Sequence, residues 1–267
     1  MPEPADKTET GLGKTIAALS GERFVEQFHS WLFQCLAFDN CTILAYFQRR
    51  PPELIFRRAR EQRVHAKIET VYLKGAYLLD PFHELHVQKV ASGLYRLKDI
   101  APDHFQRNQY YLDYYRRTTL VDEMAFVAYP GRGVCIQVCI GRDATSGRRF
   151  SVRQVENARR IAPIVTGLVQ SHWRDLSAAE DLAQSSLQGR LADMVHAAHA
   201  IRLSPRQAQV AILILRGHSS ASIGLRLKIS PQTVKVFRKQ LYRKCNISSQ
   251  AELFALMLPL LAGKTEG

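Results

Sequence analysis

Two hydrophobic rhythms run along the chain. Phe24, Phe28, Trp31, Leu32 and Cys35 recur at helical spacing after Gly21, and Val152, Val155, Ile161, Val165 and Leu168 do so between Ser151 and about Trp173. Between these helices the period shortens to that of strands. CTILAYF (41–47) is a β-rich run, the turn Arg50-Pro51-Pro52 leads into ELIFRR, and LYRLKDI (94–100) alternates. VDEMAFVAY, the turn Pro130-Gly131-Arg132-Gly133 and VCIQVCIGR form the clearest hairpin. A helix is expected around 62–79, stopped at Asp80-Pro81 because proline holds the residue before it extended. The fold class is therefore α+β: over residues 20–173, an α/β sandwich on an antiparallel sheet of five short strands, of the kind found in small sensory domains. Residues 1–19 are polar and expected to be disordered. Residues 174–200, rich in Ala, Ser and Gln, are expected to form a helical linker, and 263–267 a tail.

Residues 201–262 read as a separate domain of four short, individually capped helices. Ser204, Pro205 and Gln207 make a capping box with proline in the first turn, and Gly217 supplies a left-handed stop after Arg216. Ser219 or Ser220 opens a second helix through Leu227, and Ser230 with Pro231 opens a third. Ser248 or Ser249 opens a fourth through about Leu258, which Pro259 is expected to close. Leu203, Val210, Leu213, Leu215, Ile223, Leu227, Ile229, Val234, Phe237 and Leu241 supply a core.

Charge sharpens this picture. Residues 201–250 hold ten Lys or Arg and no Asp or Glu, so this window supplies ten of the thirteen net positive charges. A field of one sign attracts a polyanion, and double-stranded DNA is the expected partner. At about 100° per residue, Val234, Phe237, Leu241 and Cys245 share the face of the third helix expected to be buried. Gln232, Lys235, Val236, Lys239 and Arg243 face the other way, with Arg238 and Lys244 on the flanks. Such a helix suits a major groove, its centre reaching base edges and its flanks meeting phosphates. The preceding helix would cross the backbone, as in a helix-turn-helix. One such helix makes too few contacts for strong specificity, so a homodimer is expected.

Other classes recede. MPEPADKTETGLGK has no apolar signal core and no run approaches a membrane span, so a cytoplasmic protein without a membrane partner is expected. Five Cys (35, 41, 135, 139, 245) lack zinc spacing. Cys135 and Cys139 would stand about 13 Å apart along a strand, so all five are read as free thiols, with no metal and no cofactor. No nucleophile–base constellation or phosphate loop can be assembled, which disfavours an enzyme with an accessory DNA-binding domain. His83 and His86, like His196 and His199, lie three apart and are expected at the surface.

LSPRQAQV and GHSSASIGLRLKISPQTVKVFRKQLYRKCNISSQAEL closely resemble the DNA-binding domain of the LuxR family of bacterial transcription regulators. The resemblance covers about 56 residues, Leu203 to Leu258. Gly217, Ile223, Leu227, Ser230, Thr233-Val234-Lys235, Tyr242, Lys244, Ser249, Ala251, Glu252 and Leu253 fall on the family pattern. Departures are mild: Gln207 for Glu, Gly224 for Ala, Phe237 for His and Cys245 for Leu. The resemblance implies that Lys235, Val236 and Lys239 approach bases, while Ser230, Thr233, Arg238, Tyr242 and Lys244 hold the backbone.

In the sensory half, Asp80-Pro81, with Tyr72 and Tyr77 before it and Tyr95 after, resembles the acyl-homoserine-lactone-binding domains that often precede this DNA-binding domain. The resemblance implies a quorum-sensing-like regulator in which Asp80 accepts a hydrogen bond from a small-molecule effector, with Tyr77 and Tyr95 beside it. The expected site is a cavity between the sheet and the 62–90 helices. The family's upstream Trp and Tyr fall on Lys67 and Val71, Tyr95 stands where Trp is usual, and Met124 falls near a usual Gly, which implies an altered pocket. Asp80 reads equally as a helix N-cap before Pro81. Tyr110, Tyr111, Tyr114 and Tyr115 either line a pocket or simply pack. A ligand-independent interaction or dimerisation module is the alternative for this half. The dimer contact is expected there or in 151–200, because the apolar stripe from Val152 to Leu168 exceeds what one sheet needs.

Overall fold

The computed structural model describes residues 4–48, 50–176 and 187–261, which divide into two compact units. One draws on residues 1–65, 86–99 and 119–181, the other on 66–85, 100–118 and 182–267. The expected tail and residues 177–186 of the expected linker lie outside the described residues.

The first unit is built on an antiparallel sheet of order β2-β1-β5-β4-β3: β1 Asn40–Phe47, β2 Glu53–Ala59, β3 Gly93–Arg96, β4 Leu120–Ala128 and β5 Val134–Asp143. The β1–β5 pairing runs unbroken from Asn40↔Gly141 to Phe47↔Val134. The two-residue period then places Ile43, Ala45, Phe47, Met124, Phe126, Val134, Ile136, Val138 and Ile140 in one buried cluster. Helices α2 (Phe24–Leu36) and α6 (Val152–His172) close that cluster with Phe24, Phe28, Leu32, Val155, Ile161, Val165 and Leu168. Ser151 starts α6 with a complete capping box. The α+β class and the antiparallel five-stranded sheet agree with the sequence pattern. The apolar surplus expected on α6 is smaller than its sequence suggests, because the sheet and α2 absorb nearly the whole stripe. Only Val152 (75% exposed) and Ile164 (41%) remain outside.

Several local expectations need correction. Residues 4–17 form a helix, α1 (Pro4–Ala17), rather than a disordered arm. Thr15 is fully buried and Leu12, Ala18 and Leu19 pack on the core, an anchoring stripe hidden among polar neighbours. The helix expected over 62–79 breaks into a 3-10 turn (Gln62–His65), a π turn (Ile68–Tyr72) and a second 3-10 turn (Ala76–Leu79) before α3 (Pro81–Val87). β-branched Val64, Ile68, Thr70 and Val71 weaken a regular helix, and Gly75, at φ 153°, interrupts it. The run 94–100 is strand only to Arg96 and then turns into α4 (Leu97–Ile100). His83 and His86 are buried, not surface, residues: His83 packs edge-on to Tyr77 at 5.0 Å and His86 stacks on Tyr46 at 6.0 Å.

The second unit contains α5 (Gln109–Asp113), α7 (Leu187–His199), α8 (Pro205–Arg216), α9 (Ser220–Leu227), α10 (Pro231–Cys245) and α11 (Gln250–Leu261). α7, inside the expected linker, buries Leu191 and Val195 at i,i+4 spacing and packs on α8 and α11. Pro259 lies within α11 rather than closing it, the buried Leu260 holding the last turn in place. None of the five cysteines forms a disulfide. Among the described residues no helix is long and apolar enough to cross a membrane.

Candidate DNA interface and effector residues

Caps set the angles of the basic helices. Ser204 and Gln207 form the expected capping box, and Gly217 ends α8 at φ 93°, a left-handed conformation that favours glycine. Ser219 accepts the Ser222 N–H to start α9, and Lys228 ends it at φ 53°. Ser230 accepts the Thr233 N–H at 2.9 Å, and the two hydroxyls meet at 2.7 Å. The α9–α10 turn is tight. A Cβ at Gly224 would lie 2.8 Å from the Ile229 carbonyl oxygen.

This geometry gives α10 the two faces read from its sequence. Val234, Leu241 and Cys245 are buried, and Phe237 is half-buried. Gln232, Lys235, Val236, Lys239 and Arg243 are exposed, and Lys235, Lys239 and Arg243 make no hydrogen bond or ion pair among the described residues. The flanking residues are partly engaged. Arg238 lies 5.1 Å over the Tyr242 ring and its Nε donates to the Tyr242 hydroxyl at 3.2 Å. Lys244 Nζ donates to the Arg202 carbonyl at 2.9 Å and to Gln207 Oε1 at 3.1 Å, leaving one of its three N–H groups. Among the described residues no group of three His, Cys, Asp or Glu is placed to hold a metal ion.

The three effector candidates are divided: Asp80 and Tyr77 belong to the second unit and Tyr95 to the first. Asp80 is satisfied from within. Its Oδ1 accepts the Phe82 N–H at 2.9 Å, the N-cap arrangement for α3, and its Oδ2 accepts the Tyr72 hydroxyl at 2.6 Å. Burial raises the Asp80 carboxyl to about 6, against the lowering effect of the Tyr72 and Phe82 hydrogen bonds and the Arg216 charge. The residue that meets the carboxylate is Tyr72 and not Val71, on which the family pattern falls. The π turn explains the offset. Its wider bonds, Tyr72 N–H to Lys67 and Leu73 N–H to Ile68, insert one residue and bring Tyr72 round to Asp80. Tyr77 is buried, and the Tyr95 hydroxyl donates to the Ala91 carbonyl at 2.8 Å. The four tyrosines of 110–115 pack against each other, Tyr110 on Tyr114 at 5.5 Å and Tyr111 on Tyr115 at 5.7 Å, with Phe105 alongside.

Similarity to known proteins accords with this arrangement. The GerE domain of bacterial regulatory proteins, luxR family, matches residues 202–257. A protein of Aeromonas salmonicida described as a putative HTH-type transcriptional regulator in the exeN 3' region is 28% identical over 186 residues, 67% of this chain and 93% of its own. The crystal structure of the VqsR LBD domain from Pseudomonas aeruginosa superposes with a TM-score of 0.53 at 22% identity, over 63% of this chain and 98% of that one. That likeness is one of fold. The exposed basic face of α10 and the capped corner before it are those of a helix-turn-helix DNA-binding regulator. Residues 202–257 place that domain, and not the rest of the chain, with the bacterial regulatory proteins of the luxR family.

Proposed function

We propose that this regulator acts as a homodimer in the cytoplasm, reads specific double-stranded DNA sites through α10, and answers to a small-molecule effector received by its N-terminal α/β part. The observation that carries the reading is the outward row Lys235, Val236, Lys239 and Arg243 on a helix whose opposite face is buried. Lys235, Val236 and Lys239 approach base edges. Ser230, Thr233, Arg238, Tyr242 and the remaining N–H of Lys244 hold phosphates. Dimerisation follows from half-site logic, since one recognition helix reads too few base pairs for specificity. The role is regulatory rather than enzymatic. In vitro selection of duplexes by the intact protein, with sedimentation, tests the sequence reading and the dimer together. Selected sites should be paired half-sites about one helical turn apart. Unpaired single sites bound by a monomer would refute the dimeric reading.

For the effector, Asp80 remains the candidate acceptor, with Tyr77 as an accompanying group and Tyr95 as a separate candidate in the first unit. One observation favours the alternative of a ligand-independent module: both Asp80 oxygens already hold donors from the chain, Tyr72 and Phe82. A thermal-shift screen of the intact protein against lactones and unrelated metabolites, repeated with Asp80→Asn, decides between them. A hit lost in Asp80→Asn supports the effector site. A full screen without a shift supports the module.

A further inference from the structure

The second unit contains a junction that DNA reading does not require. Its α8–α9 corner is held by two stretches from the middle of the chain, 66–85 and 100–118. Arg216, the last residue of α8, is buried. Its guanidinium pairs with Glu84 of α3, and its Nε donates to the Leu78 carbonyl at 3.0 Å. Asn108 Nδ2 donates to the Arg216 carbonyl at 2.9 Å, and the His104 N–H donates to the Gly217 carbonyl at 3.0 Å. Two carboxylates from these stretches then reach α9 itself. Asp103 Oδ1 accepts the N–H of Ser219, the α9 N-cap, at 3.1 Å. The second oxygen of Glu84 lies 3.5 Å from Arg226 on α9.

In a helix-turn-helix the first helix lies across the DNA backbone, and amino-terminal N–H groups and cationic side chains are what phosphate oxygens meet. Carboxylate and phosphate oxygens compete for the same donors. We infer that Glu84 and Asp103 occupy the phosphate positions of α9, so that residues 66–85 and 100–118 compete with DNA for the helix-turn-helix domain. This rests on the reading of α10 as the groove-binding helix. The device is two-state. Glu84 also neutralises Arg216, and a buried guanidinium left without its partner is strongly disfavoured, so the stretches let go of the corner together.

The test is fluorescence anisotropy of the full chain on a fluorescein-labelled duplex of mixed sequence, titrated at several KCl concentrations. Phosphate competition does not depend on sequence, so no operator is needed. Glu84→Gln should tighten binding roughly two- to fivefold, the worth of a partly exposed ion pair. The slope of log affinity against log salt should steepen by about 0.9, the increment for one more phosphate neutralised. Adding Arg226→Gln to Glu84→Gln should cancel both changes. Because Glu84→Gln also deprives Arg216 of its partner and can unfold the corner, Asp103→Ala, at an exposed position, carries the same test independently and should also tighten binding. Unchanged or weaker binding by a folded Asp103→Ala protein overturns the competition while leaving DNA binding in place. Failure of the wild type and of every variant to bind any duplex overturns the α10 reading, and the competition with it.

Discussion

Truncating two lysines of α10 that differ in what they already hold separates base readout from backbone anchoring. Lys239 is exposed and makes no hydrogen bond or ion pair among the described residues. Lys239→Ala therefore leaves folding almost untouched, and its whole effect falls on DNA. A base-edge contact is worth about 1–3 kcal/mol, roughly five- to 150-fold in affinity for a selected site. Discrimination against a scrambled duplex should fall by a similar factor. Lys244 differs because two of its N–H groups already hold Arg202 and Gln207. Gln207 Oε1 keeps the Ser204 N–H at 3.0 Å when the lysine is removed, so no acceptor is orphaned there. Lys244→Ala should then cost about 1 kcal/mol of folding stability. On DNA it removes at most one phosphate partner: a slope flatter by about 0.9, or roughly threefold across a fourfold range of salt. The assay is anisotropy on a selected and a scrambled duplex over a KCl series, with urea denaturation of each variant. Equal weakening of both duplexes by Lys239→Ala, or a changed base preference in Lys244→Ala, would show that the faces of α10 are assigned the wrong way round.

Three further outcomes are expected. The Asp80 carboxyl is raised by burial to about 6, so between about pH 4 and pH 6 it is protonated when folded and ionised when unfolded. Folding then takes up a proton, and about 2–3 kcal/mol of stability is lost as pH rises through this window. Asp80→Asn, which keeps the cap acceptor, should flatten that decline in urea melts; an identical profile would place the titration elsewhere. Gly217→Ala forces a side chain into φ 93° with its Cβ 2.7 Å from Asn108 Nδ2, and should cost about 2 kcal/mol or more; a change under about 0.5 kcal/mol in urea denaturation would contradict the tight packing there. The intact chain should sediment as a dimer, and Ile164→Glu, at one of the two apolar α6 positions left exposed, should shift it toward monomer; an unshifted dimer moves the contact off α6.

Legibility follows how local each signal is. Every helix start from α8 to α10 is readable, because a cap is chemistry between residues three apart: Ser204 with Gln207, Ser219 with Ser222, Ser230 with Thr233. The β4–β5 hairpin is equally plain, its alternation matched by its turn. The stretch 62–79 misleads because hydrophobic spacing alone does not tell a regular helix from successive 3-10 and π turns. That ambiguity propagates to the effector residues. The family pattern points at Val71, and the extra residue of the π turn delivers Tyr72 to Asp80 instead. α1 escapes notice because its anchors Leu12 and Thr15, with Ala18 and Leu19 just after it, fall below any periodic signal.

Arg216 is the least readable residue of all. It closes the apolar run AILILR and counts in sequence as one more cation of the DNA-binding window. In space it is buried against Glu84, and Arg226 of the same window lies beside that carboxylate too. The absence of Asp and Glu from 201–250 thus describes the segment and not the field around it. Glu84 and Asp103 restore negative charge to α9 from positions more than a hundred residues upstream. Net charge counted by segment therefore overstates the attraction of the closed corner for phosphate, and the deficit is concentrated on α9 rather than α10. A regulator arranged in this way retains an exposed reading helix while the backbone-crossing helix is held by its own chain. Opening would then alter sequence-independent affinity first and base preference little. Specific and scrambled duplexes should consequently gain by the same factor in Asp103→Ala, whereas any change in their ratio would place the contact on the reading face instead.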